Sequence, residues 1–351
     1  MNKIIQRVFT TVLAVAMLTG CNQGEKVKPN SETISSSEVS QVSQSSTAEK
    51  KEQHYPVTIT NYNYAGEEVT TVYEKAPEKV LAIYQGSIET MIALGLEDKV
   101  VAAYGLDNEV KEIWKDGLSK MHYDESVFAP DKETVTAMQP DMIFSWGSIF
   151  SDKKFGDVSN WESKGTHCYM NTNTRPGGHT RTIANECTDL LNIGKIFNVE
   201  DKAQELVDQM QNKIAEALKA TEGKEPQSVA VVELMKDTIS NYSTKSLAGD
   251  IVTQLGGKLS MPETNKISKE DLIAVNPNAI FVVYMSRDTD IEATGKEKVA
   301  KITEDPAYAS LDAVKNGRIY PILLGDLYAS TVRTIDGINT ISNGLYPESN
   351  K

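Results

Sequence analysis

Four arginines, Arg175, Arg181, Arg287 and Arg333, stand with Tyr84, Gln85, Tyr104, Trp146, Tyr242, Tyr284 and Tyr328 just beyond short apolar runs. A guanidinium is always charged and forks onto two oxygens, so it suits carboxylate or phenolate groups. An aromatic ring gives contact area with few rotamers to freeze. The chemistry these residues offer is recognition of an anionic ligand with flat faces. One stretch concentrates it, Arg175-Pro176-Gly177-Gly178-His179-Thr180-Arg181. Its glycines permit close backbone approach, and Thr180 is placed to cap a following helix whose N-terminus would face an anion. His179 offers an imidazole, although a single exposed histidine is more often no ligand at all.

Alternating strands and helices must position these groups. Residues 55–73 alternate as a β-hairpin around Ala65-Gly66-Glu67-Glu68. Val80 to Tyr84 reads as a buried strand, Ser87 caps a helix from Ile88 to Leu94, and Val100 to Tyr104 is the next strand, a βαβ unit. Strands follow at Met142–Trp146 and His167–Met170, and a helix at Thr180–Ile193. After position 221 come strands at Ser228–Leu234, Ala279–Tyr284 and Arg318–Leu323, with helices at Leu247–Leu255, Ala307–Val314 and residues 327–345. In open parallel sheets ligands sit beyond the carboxyl ends of strands, which is where the aromatic and arginine residues fall. Between the two blocks runs Val199 to Thr221. Its apolar residues Val199, Ala203, Leu206, Val207, Met210, Ile214, Ala217 and Leu218 share one helical face, and its length is about 34 Å at 1.5 Å per residue. The spacing predicts a rigid strut between two α/β lobes.

A subpattern occurs once in each block. Asp131-Lys132-Glu133 leads through Pro140-Asp141 to Phe144, and Ser268-Lys269-Glu270 through Pro277-Asn278 to Phe281, each a short capped helix, a turn and a strand. The expected organisation is residues 55–198 as a first lobe, 199–221 as the linking helix and 222–351 as a second lobe.

The N-terminus carries an address. Lys3 and Arg7 precede an apolar core from Val8 to Leu18, too short to span a bilayer, and Leu18-Thr19-Gly20-Cys21 follows. This resembles the lipobox of bacterial lipoproteins, which implies removal of residues 1–20 and acylation of Cys21, as by palmitate. More than one acyl chain is needed for firm anchoring. Residues 22–53 hold eight serines and no aromatic residue, so 21–54 reads as a lipidated flexible tether. Its length suits an extracellular, membrane-anchored position on a Gram-positive cell.

Bulk composition narrows the class. The net charge is −13, and removal of Lys3 and Arg7 with the signal leaves −15, so nucleic acid is excluded as a partner. Three cysteines leave at most one bridge, Cys168 to Cys187, or two separate buried thiols. The four histidines, His54, His122, His167 and His179, lack the spacing of a zinc or manganese site, so no protein-held metal is expected. Gln85-Gly86-Ser87-Ile88-Glu89 lacks the second glycine of a nucleophile elbow, and neither a phosphate loop nor a paired-carboxylate motif is present, so an enzyme is not expected.

The stretches Pro77-Glu78-Lys79-Val80-Leu81-Ala82, Ile92-Ala93-Leu94-Gly95-Leu96, Val135 to Ile143 and Leu311 to Tyr320 are similar, in order, to substrate-binding lipoproteins of the ferric-siderophore and cobalamin ABC importers. The resemblance implies the class III periplasmic-binding fold, two α/β lobes with central mostly parallel sheets joined by one long rigid helix. It implies a monomer that carries a ferric chelate, without a cofactor, to an ABC permease dimer. Cobalamin and haem are the alternative ligands, and the arginines favour an anionic ferric chelate. By motif position Glu133 and Glu270 would meet permease arginines; otherwise each is an ordinary first-turn charge.

Overall fold

The computed structural model describes residues 53–286, 290–329 and 331–347. The expected signal, Cys21, residues 21–52 of the tether and Arg287 lie outside the described residues. Residues 53–351 form one unit. The strands are β1 Val57–Tyr62, β2 Glu68–Tyr73, β3 Val80–Ile83, β4 Val100–Tyr104, β5 Met142–Ser145, β6 His167–Met170, β7 Ser228–Leu234, β8 Ile239–Asn241, β9 Lys258–Leu259, β10 Lys266–Ile267, β11 Ala279–Tyr284 and β12 Ile319–Leu323. The helices are α1 Gln85–Ala93, α2 Lys115–Ser119, α3 Lys132–Met138, α4 Val158–Glu162, α5 Ile183–Phe197, α6 Glu200–Thr221, α7 Leu247–Gln254, α8 Lys269–Val275, α9 Ile291–Thr303, α10 Asp312–Lys315 and α11 Thr334–Leu345.

Two central sheets organise these elements. The first, ordered β4-β3-β5-β6, is parallel throughout. The second runs β10-β8-β7-β11-β12, with β9 also on β7; it is parallel except where β8 pairs with β7 and β10. Strands such as β3, β5 and β11 are buried at every position, as a parallel sheet with both faces covered requires. The β1–β2 hairpin is antiparallel and packs beside β6. The Asn61 side-chain amide donates to Met170 O at 3.0 Å and accepts from Met170 N at 2.8 Å, so it completes the ladder of that edge strand.

The repeated subpattern does the same work in both lobes. Asp131 accepts from Thr134 N to cap α3, and Ser268 forms a reciprocal capping box with Asp271 on α8. Both helices end at a left-handed residue, Gln139 or Asn276, before the proline. Then Asp141 accepts from Glu78 N and Lys79 N at 2.8 Å, and Asn278 accepts from Ser228 N at 2.8 Å. Each turn side chain thus satisfies the entry of the neighbouring parallel strand.

The lobes are joined by more than a single strut. α6 buries Ala203, Val207, Met210 and Ala217, but α5 is shared as well. Its Ile183 and Leu190 belong to the core over the second sheet, and its Ile193, Ile196 and Phe197 to the core of the first. The chain after β12 also crosses back. Residues 331–333 pack on α1 and α5, and the Ala329 carbonyl lies so close to Gly86 that a Cβ there would be 2.3 Å from it.

Several local expectations need correction. Ser87 is buried within α1 and donates to Asn171 at 3.0 Å; the residue before α1 is Tyr84, with φ 74. Thr180 does not cap α5, since Thr182 accepts from Asn185 N. The expected helix over Ala307–Val314 is a short turn followed by α10, and the helix expected over 327–345 begins only at Thr334. The cysteines need no such correction: of the two readings the separate thiols hold, Cys168 buried and Cys187 half-buried.

Candidate functional site

A cavity of about 580 Å³ opens where the carboxyl ends of the two sheets meet. Trp146 follows β5, Tyr328 follows β12, Tyr242 follows β8, and Arg181 precedes α5; all four line it, together with His179. The Trp146 ring lies 4.6 Å from Tyr84 and 5.1 Å from Tyr328, tilted against both, so an aromatic row crosses the lobe boundary. The Arg181 guanidinium lies 3.9 Å from the Tyr328 ring centroid and donates to its hydroxyl at 2.8 Å. Tyr242 donates to Glu233 at 3.3 Å; burial first, then the Glu233 charge, holds this hydroxyl well above its ordinary range. Burial, and then Arg175 and Arg181, hold His179 below its ordinary value, which favours a neutral imidazole. The buried Trp146 Nε1 and His179 Nε2 carry no hydrogen bond. What this wall can do is hold a rounded, partly apolar ligand by stacking and a few polar contacts.

Tyr84 supports the row from behind. Its ring lies 5.4 Å from Phe128, and its hydroxyl accepts from Lys154 at 3.1 Å. Its backbone, at φ 74 and ψ 158, occupies a region that glycine alone adopts without strain. Tyr84 N donates to Tyr104 O and Tyr84 O accepts from Ile88 N, which fixes this turn between β3 and α1.

The remaining expected residues lie off the cavity wall, each for a visible reason. Gln85 is buried; its Oε1 accepts from Asp107 N and Asn108 N, and its Nε2 donates to Glu89 at 2.7 Å. Tyr104 is buried at the end of β4. Arg175 lies over the Tyr62 ring at 4.5 Å, on the hairpin side. Tyr284 faces the opposite side of the second sheet and donates to Ile291 O at 3.1 Å, in space left by Gly295. Arg333 is 5% exposed, and its Nε donates to Glu89 at 2.6 Å, with Asp326 at 3.5 Å. The N-terminus of α5 faces no open anion site: Ile183 N donates to the Asp250 carboxylate at 2.7 Å. Arg287 lies outside the described residues. Glu133 and Glu270 are exposed in the first turns of α3 and α8.

Sequence reasoning missed Asp107, Glu233, Lys245, Met285 and Leu324 on the wall. Met285 had a signal, because it directly follows β11 and strand side chains alternate between faces. Tyr284 and Met285 therefore point apart. The Ser240–Ser246 part of the wall comes from β8 and the turn after it, and that strand is only three residues long.

Below the cavity lies a buried polar floor that couples the lobes. Thr331 N donates to Glu186 at 2.6 Å, and Asn171 Nδ2 to Thr331 Oγ1 at 3.4 Å. Arg181 N donates to Lys245 O at 3.1 Å. Burial pushes Glu186 up to about 7 against the hydrogen bonds from Asn173 and Thr331. Burial and the Glu186 charge push Asp189 up to about 7 as well.

Comparisons with known proteins agree with this architecture. Residues 80–322 match the family model described as periplasmic binding protein. The petrobactin-binding protein YclQ of Bacillus subtilis is 26% identical over 261 residues, 71% of this chain and 75% of that protein. The uncharacterized ABC transporter substrate-binding lipoprotein YvrC of the same organism is 23% identical over 349 residues, 97% of this chain and 96% of that one. The crystal structure of a periplasmic binding protein from Veillonella parvula superposes with a TM-score of 0.78 at 28% identity, covering 84% of this chain and 93% of that one. The chain is thus a two-lobed binding protein rather than an enzyme, and it belongs to the periplasmic binding protein family.

Proposed function

We propose that this protein captures a ferric chelate of the siderophore type in the cavity between its lobes and delivers it to an ABC permease dimer. The observation that carries the reading is the wall itself, in which Trp146, Tyr328, Tyr242 and Arg181 converge from both lobes on one cavity of about 580 Å³. That is within the usual range for a small-molecule site, and stacked rings with a few polar groups suit a compact chelate. The similarity to a petrobactin-binding protein supports the ligand class, and the similarity to an ABC lipoprotein along nearly the whole chain supports transport. Cys21 is the lipidated residue in this reading, and the protein acts as a monomer tethered at the outer face of a Gram-positive membrane. Among the described residues no helix is long and apolar enough to cross a membrane.

Delivery falls to Glu133 and Glu270. Each is exposed, each is the second residue of one of the two matched helices, and so each lobe presents one carboxylate from the same local frame. Separated fixed charges give a docking partner orientation as well as attraction. In cells dependent on the ferric chelate for iron, the double substitution Glu133→Ala with Glu270→Ala abolishes uptake and leaves ligand affinity unchanged. Lost affinity, or undiminished uptake, contradicts the assignment.

A further inference from the structure

We infer that Glu233 makes the cavity selective for an electrically neutral ferric complex, of the tris-hydroxamate type, over a tri-anionic tris-catecholate. This rests on the ferric-chelate reading above and deepens it.

Two of the four arginines that the sequence offers for an anionic ligand are engaged elsewhere, and Arg287 lies outside the described residues. Arg333 is buried in an ion pair with Glu89, and Arg175 covers the Tyr62 ring. Lys154 lies behind the aromatic row, on the Tyr84 hydroxyl. Among the described residues the wall keeps two cations, Arg181 and Lys245, and it carries two carboxylates, Asp107 and Glu233, so its formal charge cancels. Arg181 is itself stacked on Tyr328. Glu233 belongs to the same patch: the Tyr242 hydroxyl donates to it and is also within the fields of Arg181 and Tyr328. Glu233 is half-buried and lines the cavity itself, so its carboxylate is presented directly to whatever occupies it.

Ferric iron bound by three hydroxamates is neutral, because each hydroxamate carries one negative charge. Three catecholates carry six, and the complex keeps a triple negative charge on its phenolate oxygens. The first needs apolar area and a few hydrogen bonds. The wall supplies these through Trp146, Tyr328, Met285 and Leu324, with Ser240 and Asn265 as polar groups. The second needs a surplus of cations. Even at the dielectric constant of water, one carboxylate about 8 Å from three like charges costs roughly tenfold in affinity, so Asp107 and Glu233 offset the attraction that Arg181 and Lys245 would offer a tri-anion.

The test is a fluorescence titration of the purified chain, wild type and Glu233→Gln, with ferrichrome as the neutral probe and ferric enterobactin as the tri-anionic one. Gln keeps an acceptor for the Tyr242 hydroxyl. The wild type binds the neutral complex at least about tenfold more tightly, and Glu233→Gln closes most of that gap by raising affinity for the tri-anion while the neutral complex changes less than about twofold. Raising salt from about 20 mM to about 0.5 M narrows the wild-type gap in the same direction. A wild type that prefers the tri-anion, or a ratio unchanged in Glu233→Gln, overturns the selectivity and leaves the ferric-chelate reading standing. Failure of both complexes to bind overturns the selectivity, and saturable binding of ferric citrate in the same titration then decides whether the ferric-chelate reading falls with it.

Discussion

Replacing Arg333 with methionine separates a ligand contact from a structural one. The guanidinium lies in a buried pair, with Nε 2.6 Å from Glu89 Oε2 and the other nitrogens on the Glu109 carbonyl at 2.8 Å and Asp326 at 3.5 Å. Burial outweighs the pairing enough to hold the Glu89 carboxyl above its ordinary value, yet the 2.6 Å contact makes it a charge-assisted bond. Removing one partner leaves a carboxylate buried beneath the cavity floor, which costs about 3–5 kcal/mol. For a folded unit of this size that lowers Tm by roughly 5–8 °C. The companion substitution Glu89→Leu in the Arg333→Met background recovers part of the loss, because those two apolar groups need no partner while Asp326 still lacks its cation, and the double-mutant cycle returns a coupling energy of about 3 kcal/mol. The assay is thermal unfolding of the four proteins, followed by ligand titration below the lowest Tm. Affinity of Arg333→Met stays within about twofold of the wild type, whereas Arg181→Ala loses tenfold or more. A thermally unaltered Arg333→Met with lost affinity refutes the placement and returns Arg333 to the cavity wall.

Other outcomes follow from the same floor. Glu186 is fully buried and raised from 4.5 to about 7, and Asp189 from 3.8 to about 7, so the folded state favours their neutral forms. The stability they contribute is complete below about pH 4 and is lost as pH rises through 7, about 3 kcal/mol for Glu186 alone. Tm therefore falls between pH 5.5 and pH 8, and Asp189→Asn flattens that slope; a Tm rising over this interval contradicts the assignment. Gly86→Ala places a methyl group 2.3 Å from the Ala329 carbonyl, in a segment whose residues 329 and 331 hold φ near 45°. It costs about 2 kcal/mol by overpacking and weakens ligand binding, because Tyr328 precedes that segment. Unchanged unfolding and affinity would show that the segment after Tyr328 is not held there.

The elements that sequence periodicity located best are those whose burial is uniform. α6 falls within a residue of its expected span because its buried side chains, Ala203, Val207, Met210 and Ala217, recur on one face, and β3, β5 and β11 are buried along their whole length. The repeated Pro-Asp and Pro-Asn turns were readable because a side-chain cap is a local device. What stayed hidden was tertiary. Nothing near Arg333 in sequence announces Glu89, which is 244 positions away, and only the fold reveals that α5 serves both cores. Strand ends name a neighbourhood, but the alternation of side chains decides which of two adjacent residues faces the ligand. That is why Met285 rather than Tyr284 lines the cavity. β8 is too short to carry a periodic signal, so Glu233's partner Tyr242 was named without the wall around it.

The central claim is that the aromatic wall around Trp146, Tyr328 and Arg181 holds a ferric chelate. The most direct measurement is a tryptophan fluorescence titration with ferric hydroxamate, catecholate and citrate complexes, haem and cobalamin. One ferric chelate should give saturable quenching at one ligand per chain, with a smaller amplitude in Trp146→Phe and weaker binding in Arg181→Ala. Quenching by cobalamin or haem alone, or by none of these ligands, would contradict it.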